Sequence, residues 1–235
     1  VATDLELIYC ANGNKRFAQI AIDAGFLYGA QMPGTVYYDL HFVDLHPERP
    51  PNQWDYVSKL RRHQPTMASV HDWHAGRGYQ EIMLRAEEIA EHVRESILLI
   101  PKVPGTIKKI PRHINSRRVV LGYSVPTRHG KTDVPMLEFS GWPVHLLGGS
   151  PQRQMQIHSE MRNFADVVSV DGNMHLKMAT QFNSFFDPCK TTQRGFWPSL
   201  VDYDGRKWGD GSGAADAPYE AFARSCRNII SAWRQ

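Results

Sequence analysis

At 235 residues, with 42% hydrophobic and 22% charged residues and a net charge of +3, the chain has the make-up of a folded globular protein, which excludes a disordered, collagen-like or coiled-coil one. No apolar run approaches the roughly 18–20 residues of a membrane span, and Val1-Ala-Thr-Asp-Leu-Glu6 lacks a charged segment followed by an apolar one, so no membrane partner and a cytoplasmic location are expected. Cys10, Cys189 and Cys226, odd in number and without a Cys-x-x-Cys pair, suit reduced thiols and neither a disulfide framework nor a zinc knuckle.

Eight short aliphatic or β-branched runs follow one another along the chain: Leu5 to Tyr9, Phe26 to Ala30, Leu40 to Val43, Thr66 to Val70, Ile97 to Ile100, Val119 to Gly122, Val144 to Leu147 and Val167 to Val170. Helical patterns alternate with most of them, which predicts parallel strands. Asn12 or Asn14 caps a helix presenting Phe17, Ile20, Ala21 and Ala24, and Gly25 ends it. Trp54, Val57 and Leu60 mark the next helix. Tyr79, Ile82, Met83, Ala86, Ile89, Ala90 and Val93 form an apolar stripe opposite Glu81, Glu87, Glu88, Glu91 and Glu95. Ser150-Pro151 starts a helix running to about Arg162, and Met174, Met178, Phe182 and Phe185 make another. The connections after strands two and six read as irregular. The pattern predicts a single α/β domain, a (β/α)8 TIM-like barrel over about residues 5–186, followed over 187–235 by an aromatic, Gly-rich loop and a closing amphipathic helix from Tyr219 to Trp233.

In such a barrel the chemistry sits where the strands end. Those positions hold Cys10 to Lys15, Gln31, Asp44, His71-Asp72-Trp73, Pro101-Lys102, Tyr123-Ser124, Gly148-Gly149-Ser150 and Asp171-Gly172-Asn173. Asp44, Asp72 and Asp171 are expected to converge on one mouth. Carboxylates there can attack or stabilise a glycosidic carbon, move a proton, or hold magnesium or manganese; as caps of loops and helices they also have an ordinary structural role. Gly148-Gly149 before a helix either offers amides to a phosphate or makes a tight connection. His41, His46, His71 and His74 lack the His-x-His and His-Glu-x-x-His spacings of zinc sites, so no metal and no cofactor are expected. Between Pro101 and Lys131 stand Lys102, Lys108, Lys109, Arg112, Arg117, Arg118, Arg128 and Lys131 without an Asp or Glu, a field suited to a polyanion. Lys15, Arg16, Lys102, Lys108, Lys109 and Arg128 are the expected phosphate contacts, with a Schiff-base role as the second reading of Lys102. Trp73, Tyr123, Trp142, Trp197 and Trp208 offer stacking surfaces, with core packing as their ordinary role.

Val144-His-Leu-Leu-Gly-Gly-Ser-Pro151, then a helix, then Asp166-Val-Val-Ser-Val-Asp171, resembles a segment of the tRNA-guanine transglycosylases and related DNA 7-deazaguanine transglycosylases. There an apolar strand ends in a Gly-x-Gly-Thr-Pro-like turn and the next strand ends in the nucleophilic aspartate. The resemblance implies Asp171 as the nucleophile at the sugar C1′ and Asp72, in Val70-His-Asp72, as the reader of the base edge. It implies Asp44 as the general base, although the family's Asp-Ser-Gly-Gly is missing, and Leu121-Gly-Tyr-Ser124 as a base-contacting strand end. His71, Trp73, Tyr123, Gly148 and Gly149 complete the implied base pocket. These elements stand in family order over roughly residues 40 to 175. The Cys-rich zinc site of the tRNA enzymes is absent, which favours DNA over tRNA as partner. The implied activity is that of a glycosylase or transglycosylase acting on a modified base flipped out of DNA, with defence against phage as a fitting role. Two other readings stay open: a barrel enzyme acting on a small phosphorylated metabolite, and a non-catalytic nucleic-acid binding module.

Overall fold

Side chains alternate across each strand, and here the two faces differ in kind. In β1 (Glu6–Cys10), Ile8 and Cys10 join a small apolar cluster with Phe42, Met67, Leu98, Ile100 and Val120, whereas Leu7 and Tyr9 belong to a much larger one shared with the helices. The small cluster is the interior of a closed cylinder and the large one the layer between strands and helices. The computed structural model describes residues 5–11, 14–46, 50–127, 131–182, 184–188 and 216–234.

After β1 come β2 (Leu27–Met32), β3 (Phe42–Leu45), β4 (Met67–Ser69) and β5 (Ser96–Leu99), each parallel to its predecessor. A two-residue strand, β6 (His113–Ile114), then pairs antiparallel with the start of β7 (Arg117–Ser124). β7 returns to parallel pairing with β5, β8 (Pro143–Leu147) follows beside it, and β9 (Asp166–Gly172) pairs with both β8 and β1. The eight parallel strands thereby close into a TIM-like barrel, and all eight coincide with the predicted runs. The hairpin strand β6 is an addition: Asn115 and Ser116, at φ 46° and 65°, turn the chain between the paired Ile114 and Arg117.

The helices start and stop where local chemistry allows. In α1 (Lys15–Ala24) the Asn14 side chain accepts from the Phe17 N–H, and Gly25 ends the helix at φ 106°. α2 (Gln53–His63) is capped by Asn52, and α3 (Tyr79–Ala90) buries Ile82, Met83, Ala86, Ile89 and Ala90. α4 (Pro151–Met161) has Ser150 as cap and Pro151 in its first turn. α5 (Met174–Phe182) stops short of the predicted Phe185. α6 (Ala217–Trp233) packs on α1 and α5 through Phe222, Cys226, Ile229 and Ile230, as its apolar stripe predicts. No helix links β2 to β3, and among the described residues between β7 and β8 only the short 3-10 turn Met136–Phe139 is regular, which agrees with the irregular connections expected there. Trp197, Trp208 and Arg128 lie outside the described residues, as does nearly all of the expected Gly-rich loop.

Candidate active site at the barrel mouth

Asp44, next to last in β3, points into the barrel with Phe42, two residues before it. Its Oδ1 accepts from the Ser69 hydroxyl at 3.0 Å, Ser69 Oγ accepts from the Leu45 N–H at 3.0 Å, and the buried Tyr56 hydroxyl donates to the Ser69 carbonyl at 2.7 Å. One serine at the end of β4 thus ties β3, β4 and α2 together around this carboxyl. Burial, then the charge of Asp171, pushes the Asp44 carboxyl up to about 7, with Asp72 adding to the shift. Cys10 lies close to both Asp44 and Asp171. Burial and the two carboxylates push its thiol well above the ordinary value, which disfavours the thiolate.

Asp171 stands on β9 with its side chain 8% exposed. Its Oδ1 lies 3.0 Å from the Gly148 N–H, which donates to it, and 3.3 Å from His145 Nε2. His145 is fully buried, with Nδ1 2.7 Å from the Ser169 hydroxyl. A proton on Nε2 lets His145 donate to the carboxylate while Ser169 donates to Nδ1. Gln154, from α4, donates to the carbonyls of Gly148 and Asp171 at 2.8 and 2.5 Å, which locks the β8 turn against the end of β9.

The opposite wall is the loop after β4. The Asp72 carboxylate pairs with Lys102 Nζ at 3.3 Å, and Lys102 also donates to the Ser124 hydroxyl. With its side chain only 12% exposed, Lys102 belongs to the inner wall. Arg77 donates to the Asp72 carbonyl, and the Trp73 indole donates to the Arg77 carbonyl. An open cleft is lined by Asp44, His46, Ser69, His71, Asp72, His74 and Arg77, among others.

The structure therefore brings Asp44, Asp72 and Asp171 to one end of the barrel, together with His71 and Lys102. Other candidates lie elsewhere. Tyr123 sits on the outward face of β7, buried against Phe139, because Gly122 and Ser124 take the inward positions; it does not reach the mouth. Trp73 is a buried anchor, bridged to Pro101 and packed on Tyr79, and offers no stacking surface. Trp142 is buried beneath the Arg112 guanidinium, before β8 begins. Gly148 spends its N–H on Asp171, and a Cβ on Gly149 would meet Val125 Cγ1 at 2.4 Å, so the pair makes a tight connection and not a free phosphate cradle. Lys108 and Lys109 are exposed on a 3-10 turn, Ile107–Lys109. Lys15 lies over the Tyr38 ring, and Arg16 stacks on Tyr219 while pairing with Asp216 at 2.7 Å. Among the described residues no group of three or more His, Cys, Asp or Glu is arranged to hold a metal, and no helix is long and apolar enough to cross a membrane.

Ser69, His145, Ser169, Gln154 and Arg77 were not among the candidates. For His145 a signal existed: Val144 and Leu146 face the helices, so plain alternation turns His145 inward.

The chain belongs to a family of unknown function, DUF6610, whose model matches residues 21–234, a span that includes Asp44, Asp72 and Asp171. No curated protein matches it.

Proposed function

We propose that the chain cleaves an N-glycosidic bond, removing or exchanging a nucleobase held at the barrel mouth, with DNA as the favoured source of the base. The observation that carries this reading is the pairing of unlike carboxyl groups. Asp44 is poised near neutrality, where it can both give and take a proton, beside Asp171, whose Oδ1 accepts from the Gly148 N–H and faces His145 Nε2. Glycosidic chemistry asks for such a division of roles.

In this mechanism Asp44 gives its proton to the departing base nitrogen as the C1′–N bond breaks and its electron pair leaves with the base. Asp171 stabilises or traps the cationic C1′ through Oδ2, since both of its contacts engage Oδ1. Water or an incoming base then adds to C1′, any bond from Asp171 breaking with its electron pair returning to the carboxylate, and a proton goes back to Asp44. A base inside a duplex must first be extruded, at a cost of a few kcal/mol. The exposed Lys108 and Lys109 suit contact with a phosphate backbone.

The test is incubation with unmodified DNA, DNA carrying modified bases, and tRNA, followed by assay of free base and abasic sites. Base release is expected to fall by at least about 10²-fold in Asp44→Asn and in Asp171→Asn, the range typical of lost acid–base catalysis. Undiminished release by a folded Asp171→Asn protein overturns the reading.

A further inference from the structure

The loop after β4 has a chemistry that the proton transfer above does not use. His71 Nδ1 lies 3.3 Å from Arg85 NH1. A guanidinium only donates, so Nδ1 is the acceptor and the ring proton resides on Nε2. Arg85 is itself held from two further sides, by Gln53 Oε1 at 3.2 Å and Glu81 Oε1 at 3.2 Å, which fixes this tautomer. His71 therefore presents a donor to the cleft it lines. Burial, then the guanidiniums of Arg85 and Arg77, pushes it down to about 4, so it stays a neutral donor at neutral pH.

Arg77 lines the same cleft. Its NH1 is spent on the Asp72 carbonyl at 3.0 Å, and among the described residues no hydrogen bond engages its Nε or NH2. The Asp72 carboxylate is paired with Lys102, and among the described residues no carboxylate lies within salt-bridge distance of Arg77. His74, 60% exposed and 3.7 Å from Asp72, adds a third N–H-bearing group. The loop that carries them is pinned at its centre, because Trp73 is buried, bridged to Pro101 and bonded to the Arg77 carbonyl. Donors on three residues of one pinned loop match the several oxygens of a phosphate better than the single edge of a base.

We propose that His71, His74 and Arg77 form an anion subsite that takes a phosphate group of the nucleotide whose glycosidic bond faces Asp44. This moves His71 from base reading, its role in the sequence resemblance, to phosphate binding. The identification of the anion as a nucleotide phosphate rests on the glycosidic reading; the subsite itself does not. A phosphodiester of a strand and the phosphate of a free nucleotide share this chemistry.

The experiment is calorimetric titration of the full chain, without turnover, with inorganic phosphate, a nucleoside, its 5′-monophosphate and a short single-stranded oligonucleotide. Inorganic phosphate is expected to bind, and Arg77→Gln to weaken it about ten-fold or more, the scale of a charged hydrogen bond. His71→Phe weakens it as well, whereas His71→Gln, with an N–H near the position of Nε2, restores most of the affinity; this pair carries the decision if Arg77→Gln fails to fold. The monophosphate binds more tightly than the nucleoside in the wild type, and Arg77→Gln reduces that advantage by the same factor as it weakens inorganic phosphate. Competition by the oligonucleotide identifies a strand as the source, and competition by the monophosphate alone a free nucleotide. Phosphate that does not bind, or that binds folded Arg77→Gln and His71→Phe as well as the wild type, overturns the subsite. Phosphate binding that persists where no base is ever released leaves the subsite standing and removes the glycosidic reading.

Discussion

Asp44 links stability to pH in a direction opposite to that of most carboxylates. Its ordinary value is 3.8 and its native value about 7, so between these limits the unfolded chain has released a proton that the native protein keeps. Stability from this group is complete below about pH 4 and is lost as pH rises toward 7, with a slope of at most about 1.4 kcal/mol per pH unit. His71 and His175, both lowered to about 4 by burial, act in the opposite sense, because acidification from 6.5 downward protonates only the unfolded chain. The Asp44 contribution is isolated by subtraction. Urea unfolding of wild type and Asp44→Asn from pH 4 to 8 is expected to show the variant gaining stability relative to the wild type as pH rises, with the gain levelling off above about 7. A constant difference across that range contradicts the assignment of a raised Asp44. A second residue-scale expectation concerns His145, whose truncation leaves Asp171 with only the Gly148 N–H. His145→Leu is expected to cost about 1–3 kcal/mol, and a double-mutant cycle with Asp171→Asn to return a coupling of at least about 0.5 kcal/mol. Additive single effects contradict a direct contact.

At the scale of elements, the turn from β8 into α4 separates two glycine requirements. Gly148 and Gly149 both have positive φ, 64° and 78°, but a Cβ at Gly148 meets open space while one at Gly149 runs into Val125. Gly148→Ala is expected to cost about 1–2 kcal/mol from backbone strain alone. Gly149→Ala costs more, and the addition of Val125→Ala recovers the excess but not the strain; thermal unfolding of the four proteins measures this. The same turn shows what could be read beforehand. Strands buried on both faces appear as apolar runs ending in polar residues, so all eight barrel strands and the three mouth aspartates were legible. Alternation puts Tyr123 on the same outward face as Leu121. For Ser169 alternation itself breaks down: Val144 pairs with Val167 but His145 pairs with Ser169, so Val168 is an extra residue that shifts the face of everything after it. The β6 hairpin is faint in the sequence because Asn-Ser is a weaker turn signal than Asn-Gly, and Ser69 because a serine in a three-residue strand carries no signal until its neighbours are known.

For the whole molecule, the cations from Lys108 to Arg118 are one run in sequence and two populations in space. The chain leaves the C-terminal end of β5, passes the 3-10 turn with Lys108 and Lys109, and reaches the opposite end of the barrel before β7 begins. There Arg117 donates to the carbonyl of Ala90, the last residue of α3, and to that of Arg94 in the connection to β5, Arg112 donates to the Gly141 carbonyl, and Arg118 faces Asp166 at 3.7 Å. Cations that satisfy loop and helix-end carbonyls hold the fold together and are poorly placed to release counterions on binding. Lys108 and Lys109 are exposed and carry no such duty among the described residues. If the proposed action on DNA holds, replacing both by Glu is expected to weaken DNA binding and to flatten the plot of log affinity against log salt by about 1–2, at unchanged stability. Arg117→Ala is expected to do the reverse, lowering stability by about 1–3 kcal/mol with the salt slope intact. Fluorescence anisotropy over a salt series, with urea unfolding of the same variants, decides between them. A lysine pair without effect on the slope, beside an Arg117 variant that flattens it, transfers the nucleic-acid face to the end of the barrel away from Asp44.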